Sequence, residues 1–416
     1  MFVSRLRLIN FRSYCDAVVS FGPGLNVVVG ANATGKTNLL EGAWFALRGV
    51  SPRTRREEKL VLWGARFSRV ELTLEGSSAA PALVEFGYAP REGKRVRWSG
   101  AEVSSLEDLR SRSQISLFMP ESLLLVKGSP ARRRAHLDTY AGALDKQYAA
   151  AARDLQEALR QRNAQLAAVK AGASARGLDP WDGQFARAAA ELGQRRRDLV
   201  TELGGRFAAA AASLTPQNET YALQLVTQLE AVGFEADALQ AELLRRRPGE
   251  IGRGLSLYGP HRDDLRFFEA AGPASGGPGP PAQPADLAGS VCGPVELPPG
   301  GRDLRLFGSQ GEQRLAVLAL LLAEQEVAAA RTGEVGTLFL DDVMSELDDA
   351  RRRLLVRKLS VAGQTIITTT NRQYFTEEEL AGATLIELPL RGSLDPASRE
   401  APAEAAGPAP PAMDAL

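Results

Sequence analysis

A chain of 416 residues, 44% of them hydrophobic, is long enough for two or three domains with buried cores. Fifty Lys and Arg face 50 Asp and Glu, so no global field draws the protein to nucleic acid or membrane, and any such contact must come from a local patch. Two cysteines, Cys15 and Cys292, and two histidines, His136 and His261, exclude a disulfide scaffold and a His-rich metal site and fit a reducing cytoplasm.

The N-terminus MFVSRLRLINFRSY alternates like a strand and lacks the long apolar centre of a signal peptide. From Val3 to Val29 short strands are interrupted by FGPG, and the last, LNVVV, runs into GANATGKTNLLEGAWFAL: strand, glycine loop, amphipathic helix. Residues 66 to 98 alternate again in RVELTLE, PALVEFGY and KRVRW, which predicts antiparallel strands continuing the first sheet. Between Pro130 and Gly172 the only internal glycine is Gly142, and Leu137, Ala141, Leu144, Tyr148, Ala151, Leu155 and Ala158 recur at helical spacing. One helix of roughly 60 Å is expected there, at ~1.5 Å per residue. A second, from about Trp181 to Leu214, follows the loop GASARGLDP, and the pair should form an antiparallel hairpin. The longest apolar run, Ala316 to Ala323, is too short to span a bilayer, so no membrane is expected.

The expected organisation is α/β. Residues 1–128 form the first part of a sheet domain, 129–250 a helical lobe, and 251–269 with 302–391 the second part of the sheet domain. Residues 270–301, rich in Gly, Pro and Ala, read as a disordered insertion, and 392–416 as a disordered tail of similar composition.

Gly30, Ala31, Asn32, Ala33, Thr34, Gly35, Lys36 and Thr37 fit the phosphate loop GxxxxGK[ST], placed between a strand and a helix as its mechanism requires. Its glycines let backbone N–H groups curl around a β-phosphate, Lys36 reaches the β- and γ-phosphates, and the Thr37 hydroxyl ligates Mg²⁺. The bland alternative is a tight turn. Thr337 to Leu340 is an apolar strand ending in Asp341 and Asp342. Asp341 is the residue to hold Mg²⁺ through water, and Asp342 the general base or water-orienting carboxylate; alternatively the strand ends in a solvated acidic turn. Far downstream of the phosphate loop, Ser309-Gln-Gly311-Glu-Gln313 opens a long apolar helix whose N-terminal N–H groups suit a phosphate. The alternative is an ordinary capping box with Glu312 as third residue.

NFRSY (Asn10 to Tyr14), GANATGKTNLLE, SLLLVKGSPARRRAHLD (Ser122 to Asp138), YGPHRDDL (Tyr258 to Leu265), DLRLFGSQGEQR (Asp303 to Arg314) and LFLDDVMSELD (Leu338 to Asp348) occur in an order that resembles the RecF family, in the SMC-like group of ABC ATPases, over residues 1 to about 375. The resemblance implies an ABC-type P-loop ATPase head, a mixed sheet with helices, carrying an inserted helical hairpin lobe. It implies ATP and Mg²⁺ as cofactors and an ATP-dependent homodimer in which Ser309 and Gly311 bind the γ-phosphate of ATP on the partner's phosphate loop. Lys36, Ser309 and Asp342 are then the catalytic group, and Ser345 to Asp348 the D-loop.

The same resemblance implies a cytoplasmic protein that binds single-stranded and gapped DNA. Such proteins work with RecR and RecO to load recombinase in recombinational repair, with a weak DNA-stimulated ATPase activity. Arg53 matches a position near the ATP and DNA face of SMC-like heads, Arg55 and Arg56 are further DNA candidates, and Thr369 falls where many ABC proteins carry a switch histidine. Arginine triplets at 132–134, 195–197, 245–247 and 351–353 are weaker candidates, each more often a solvated helix face. No clear Q-loop glutamine is visible near Phe118 to Glu121. Most ABC ATPases place glutamate where Asp342 stands; a carboxylate one methylene shorter predicts slow hydrolysis and a timed clamp. An ATPase subunit of another complex and a P-loop metabolic enzyme are the alternative readings.

Overall fold

The computed structural model describes residues 1–76, 80–216, 219–270, 301–360 and 363–389. The expected insertion, apart from its end residues, and the expected tail lie outside this set. The chain divides into two compact units, Met1–Pro120 with Gly333 onward, and Glu121–Thr332.

The first unit holds two sheets. One is antiparallel, with strands in the order Tyr14–Ser20, Phe2–Phe11, Ser68–Glu75, Ala82–Ala89, Gly93–Trp98, Ala101–Glu102. Residues 66 to 98 thus extend the N-terminal sheet, as their alternation predicted: Leu6 faces Leu72 and Leu8 faces Val70 across the central pair. The other is parallel, in the order Thr384–Glu387, Leu25–Val29, Thr365–Thr369, Thr337–Asp341, Ile115–Phe118. Its inner strands are buried on both faces, which is why LNVVV, TIITT and TLFLD read as nearly continuous apolar or β-branched runs. The helix Lys36–Arg48 buries Leu39, Leu40, Ala43 and Phe45 in the core that lines both sheets. Phe45 packs on Phe86 at 4.3 Å between ring centroids and on Phe11 at 6.1 Å.

The second unit contains the helices Pro130–Leu144, Lys146–Lys170, Asp179–Leu214, Ala236–Arg253 and Gln310–Thr332, and a three-stranded antiparallel sheet ordered Arg302–Asp303, Asp264–Ala270, Thr220–Val226. The single 60 Å helix expected from Pro130 is two helices. Asp145 adopts an extended conformation and its side chain accepts from the Gln147 N–H at 2.8 Å, so an Asp that caps a new helix interrupts a pattern whose apolar spacing runs through. The antiparallel hairpin is present in Lys146–Lys170 and Asp179–Leu214. Arg162 on the first bonds Asp182 near the start of the second, and Tyr148 bonds Arg196 well along it. The grouping also differs from expectation: residues 251–269 and 302–332 are compact with the helical lobe rather than with the parallel sheet.

The arginine triplets are corrected by their partners. Arg133 is buried and forms a two-pronged pair with Asp264 at 2.6 and 3.0 Å; Arg196 is buried between Asp138 and Asp263. Arg247 binds Asp179 and Asp182, and Arg352 lies 4.2 Å over the Tyr374 ring. One or more arginines in each triplet therefore hold the fold together and are not available to DNA. GPHRDD is explained in the same way: Asp263 and Asp264 are the buried acceptors for Arg196 and Arg133. Burial pushes His261 down to about 4, so it is neutral at physiological pH.

His136, on Pro130–Leu144, bonds the buried Glu324 of Gln310–Thr332 at 2.7 Å. Burial alone would depress the imidazole, but the Glu324 carboxylate outweighs it and raises the pKa above the ordinary 6.5. A raised folded-state pKa gives stability that is fully present below the unfolded value and is lost as pH rises through the folded one. Thermal denaturation followed upward from about pH 6 should therefore show a stability loss that His136→Gln lacks; equal slopes for both proteins would remove the pair from the account.

Candidate nucleotide-binding site

Strand order in the parallel sheet places the site. The strand leading to the phosphate loop and the strand ending in Asp341 are separated only by Thr365–Thr369, with Val29 in register with Thr369 and Asp341 with Thr368. Ligands of open α/β sheets gather at such carboxyl ends. The loop is tied there by the Gly30 N–H, which donates to Thr369 O at 3.2 Å.

Around the loop, two glycines are required. Gly35 has φ +99°, and a Cβ on it would sit 2.7 Å from the Tyr14 hydroxyl, which itself donates to Gly35 O at 3.1 Å. A Cβ on Gly30 would stand 2.6 Å from Thr34 Oγ1 and 2.9 Å from Leu388 Cβ. Ala33 also has positive φ, at 67°. Lys36 Nζ donates to Gly30 O at 2.7 Å and Ala31 O at 2.9 Å, folded back over its own loop. Burial lowers its pKa, against the raising effect of Asp342 and Asp341. An ammonium held by loop carbonyls at this position transfers readily to phosphate oxygens.

Asp341 is buried, and both its oxygens are engaged: Oδ2 accepts from Thr37 Oγ1 at 2.8 Å, Oδ1 from Thr368 Oγ1 at 2.7 Å. Next to it, Asp342 takes a left-handed backbone (φ +47°) with its N–H donating to Thr368 Oγ1 at 3.0 Å. Ser345 donates to Asp342 Oδ2 at 3.1 Å and to its carbonyl at 3.0 Å, leaving Oδ1 buried without a partner. Burial raises the Asp342 pKa above its ordinary 3.8. A glycine cradle, a retracted lysine, a hydroxyl-carboxylate pair and an orphaned carboxylate oxygen fit a Mg²⁺-nucleotide. Thr37 and Asp341 are the residues that would stand on its metal side.

Arg53 is brought to this region, but its guanidinium is bonded to Asn38 at 3.0 Å and to the buried Glu41 at 3.2 Å. Glu41 also holds Arg12 at 2.6 Å and Ser51 at 2.6 Å. Arg55 and Arg56 are exposed and make no ion pair among the described residues. Thr369 Oγ1 is turned to the Asn371 backbone. Thr368, Tyr14 and Glu41 were not singled out from the sequence. Tyr14 and Glu41 end the quoted segments NFRSY and GANATGKTNLLE without a role being assigned to them, and Thr368 is a polar residue at the carboxyl end of its strand.

In the second unit, Ser309 is exposed and caps Gln310–Thr332: its Oγ accepts from Glu312 N–H at 3.3 Å, and Glu312 Oε2 accepts from Ser309 N–H at 2.7 Å. The capping box weighed as the alternative is thus physically present. Arg302 holds the other Glu312 oxygen at 2.6 Å. Leu306 and Phe307, just ahead of Ser309, are 46% and 44% exposed.

A parallel sheet with this loop and this acidic strand defines an ABC-type P-loop ATPase head. The RecF/RecN/SMC N-terminal domain model matches residues 2–387. The DNA replication and repair protein RecF of Limosilactobacillus fermentum is 33% identical over 379 residues, 89% of this chain and 93% of that protein. RecF of Halalkalibacterium halodurans is 32% identical, covering 95% and 99%. The solved recombination mediator RecF in the RecFOR pathway with ATPrS superposes with TM-score 0.73 at 26% identity, covering 90% and 94%. An SMC head bound to a winged-helix domain of ScpA shares the fold at TM-score 0.55 and 16% identity. The chain belongs to the RecF family. No helix among the described residues is long and apolar enough to cross a membrane.

Thr368 is expected to matter as much as the motif residues. Thr368→Val removes the donor to the Asp341 carboxylate, a bond to a charged group worth about 1.5–3 kcal/mol, and the acceptor for the Asp342 N–H, a neutral bond worth about 0.5–1.5 kcal/mol. ATP turnover should fall at least about tenfold while the protein stays folded; unchanged turnover would show that Asp341 is positioned without it.

Proposed function

We propose that the protein is an ATP-dependent DNA-binding protein of recombinational gap repair that dimerises on ATP, binds single-stranded and gapped DNA, hydrolyses ATP slowly and helps load recombinase with RecR and RecO. The observation that carries the reading is the Thr37–Asp341–Thr368 bridge beside Asp342 and Lys36. Relatives bearing the RecF name over nearly the whole chain, and solved RecF complexes with ATP and ATPrS, support it.

Bound Mg²⁺-ATP would supply the phosphoryl group and the charge that neutralises it. Lys36 would leave Gly30 O and Ala31 O for phosphate oxygens, and Thr37, fixed by Asp341, would present its hydroxyl to the metal. Asp342 is the proton acceptor or water-orienting group. Its free Oδ1 is the acceptor, and Ser345 holds the other oxygen. Its short reach, against the glutamate of most ABC enzymes, limits its hold on the attacking water, so turnover stays below about one per second even though burial makes the carboxylate a stronger base. Ser309, exposed at its helix N-terminus beside the apolar Leu306 and Phe307, is the group for the γ-phosphate on a second copy, which makes nucleotide the link between subunits.

Lys36→Met should abolish ATP-dependent gel shifts of gapped DNA by removing the phosphate contact. Ser309→Arg should bind ATP normally yet fail to form the ATP dimer in sedimentation. A dimer that persists in Ser309→Arg rules out the shared-phosphate arrangement, and DNA binding indifferent to Lys36 rules out ATP control.

A further inference from the structure

The protein is neutral overall, yet residues 53–66 carry Arg53, Arg55, Arg56, Lys59 and Arg66 against Glu57 and Glu58 alone. Glu57 is taken up by Lys94, and Arg53 by Asn38 and Glu41. Arg55, Arg56, Lys59 and Arg66 make no ion pair among the described residues. In this cationic segment stands Trp63, 95% exposed, whereas Trp44, Trp98 and Trp181 are all partly buried.

Its exposure is built in. Leu60 and Leu62 are buried, Val61 bridges to Phe11, the Leu62 N–H donates to Asn10 O at 2.8 Å, and the Ala65 N–H closes a turn on Leu62 O at 2.9 Å. Alternation about these anchors leaves Trp63 on the outside, and Gly64, at φ +85° with no heavy atom near its Cβ position, completes the turn. The indole helps line a groove of about 530 Å³ lined also by Arg12, Ser13, Asn38, Arg53, Glu58 and Lys59. An outward aromatic face among unpaired cations is the arrangement by which proteins hold unpaired bases, the ring stacking and the cations tracking the backbone. Glu58 disfavours a phosphate beside the ring and so favours a base there.

We propose that Trp63 is a stacking platform for an unpaired nucleobase of DNA, with Lys59, Arg55 and Arg56 contacting the flanking phosphates. The platform distinguishes single-stranded and gapped DNA from intact duplex, whose bases are already stacked. This rests on the DNA-binding function proposed above and assigns its strand preference to one residue.

The test titrates the full chain, with ATP, against single-stranded, gapped and blunt duplex oligonucleotides over a range of salt, comparing wild type, Trp63→Ala, Trp63→Phe and an Arg55→Ala/Arg56→Ala double variant. Trp63→Ala should lose about tenfold affinity for the single-stranded and gapped forms. Its salt slope, ATP affinity, ATP dimer and blunt-duplex binding should be unchanged, and Trp63→Phe should retain most of the affinity. The arginine variant should instead weaken all DNAs and flatten the salt dependence. Weakened ATP binding in Trp63→Ala would assign the ring to the adenine and overturn the proposal; so would loss of the ATP dimer, which would place it between copies, an equal loss on blunt duplex, or no change. Wild type that binds none of the three DNAs overturns the DNA-binding function, and this platform with it.

Discussion

The site depends on one carboxylate. Asp341 accepts from Thr37 with one oxygen and from Thr368 with the other, joining the ends of two parallel strands to the first turn of the helix Lys36–Arg48, 304 residues away in sequence. A buried carboxylate in an apolar sheet is costly unless both oxygens are satisfied, and here they are. The same bond that makes the burial tolerable fixes the Thr37 hydroxyl at the end of the phosphate loop. Stability and nucleotide geometry therefore cannot be tuned separately at this position, because any change that frees Thr37 also leaves a buried charge half paired.

Buried ion pairs govern the second unit in a different way. Arg162 is fully buried and bonds Asp182, Glu250 and the Ser256 hydroxyl, each at 2.6 to 2.7 Å. These partners come from the paired helix, the following helix and the segment before GPHRDD. Arg133 and Arg196 do the same for Asp264 and Asp263. Replacing an ion pair of this kind wholesale by apolar groups can be neutral, but removing one member is strongly destabilising, by about 3–5 kcal/mol. Such pairs specify which helix meets which strand, a selection that the apolar contacts of the same helix faces do not make by direction.

The phosphate loop, the acidic strand and the antiparallel strands were legible because each rests on a local rule: glycine where φ is positive, apolar runs where both sheet faces are covered, alternation where one is. The break at Asp145 was not, since the apolar spacing continues through it and only the competing side-chain cap decides. Nor was the fate of the arginine triplets, because exposure on a helix face and burial against a distant aspartate look identical in one dimension. Thr368 and Glu41 escaped for the same reason; their roles exist only once strands and helix are assembled. Trp63 escaped because a lone tryptophan in sequence is ordinarily core, and only its 95% exposure sets it apart.

At Ser309 the structural cap is compatible with the phosphate site proposed there. The cap uses the Ser309 oxygen only as an acceptor, at 3.3 Å, and engages two N–H groups, those of Ser309 and Glu312. The hydroxyl proton stays available to donate, and so do the N–H groups of the intervening first turn, which have no intrahelical acceptor. The Glu312 carboxylate, which would repel a phosphate, is shared with Arg302 and so partly neutralised. The cap thus orders the serine in advance, so a phosphate at the proposed site would incur little ordering cost. A second subunit recognised through this turn is recognised by charge already aligned with the helix axis.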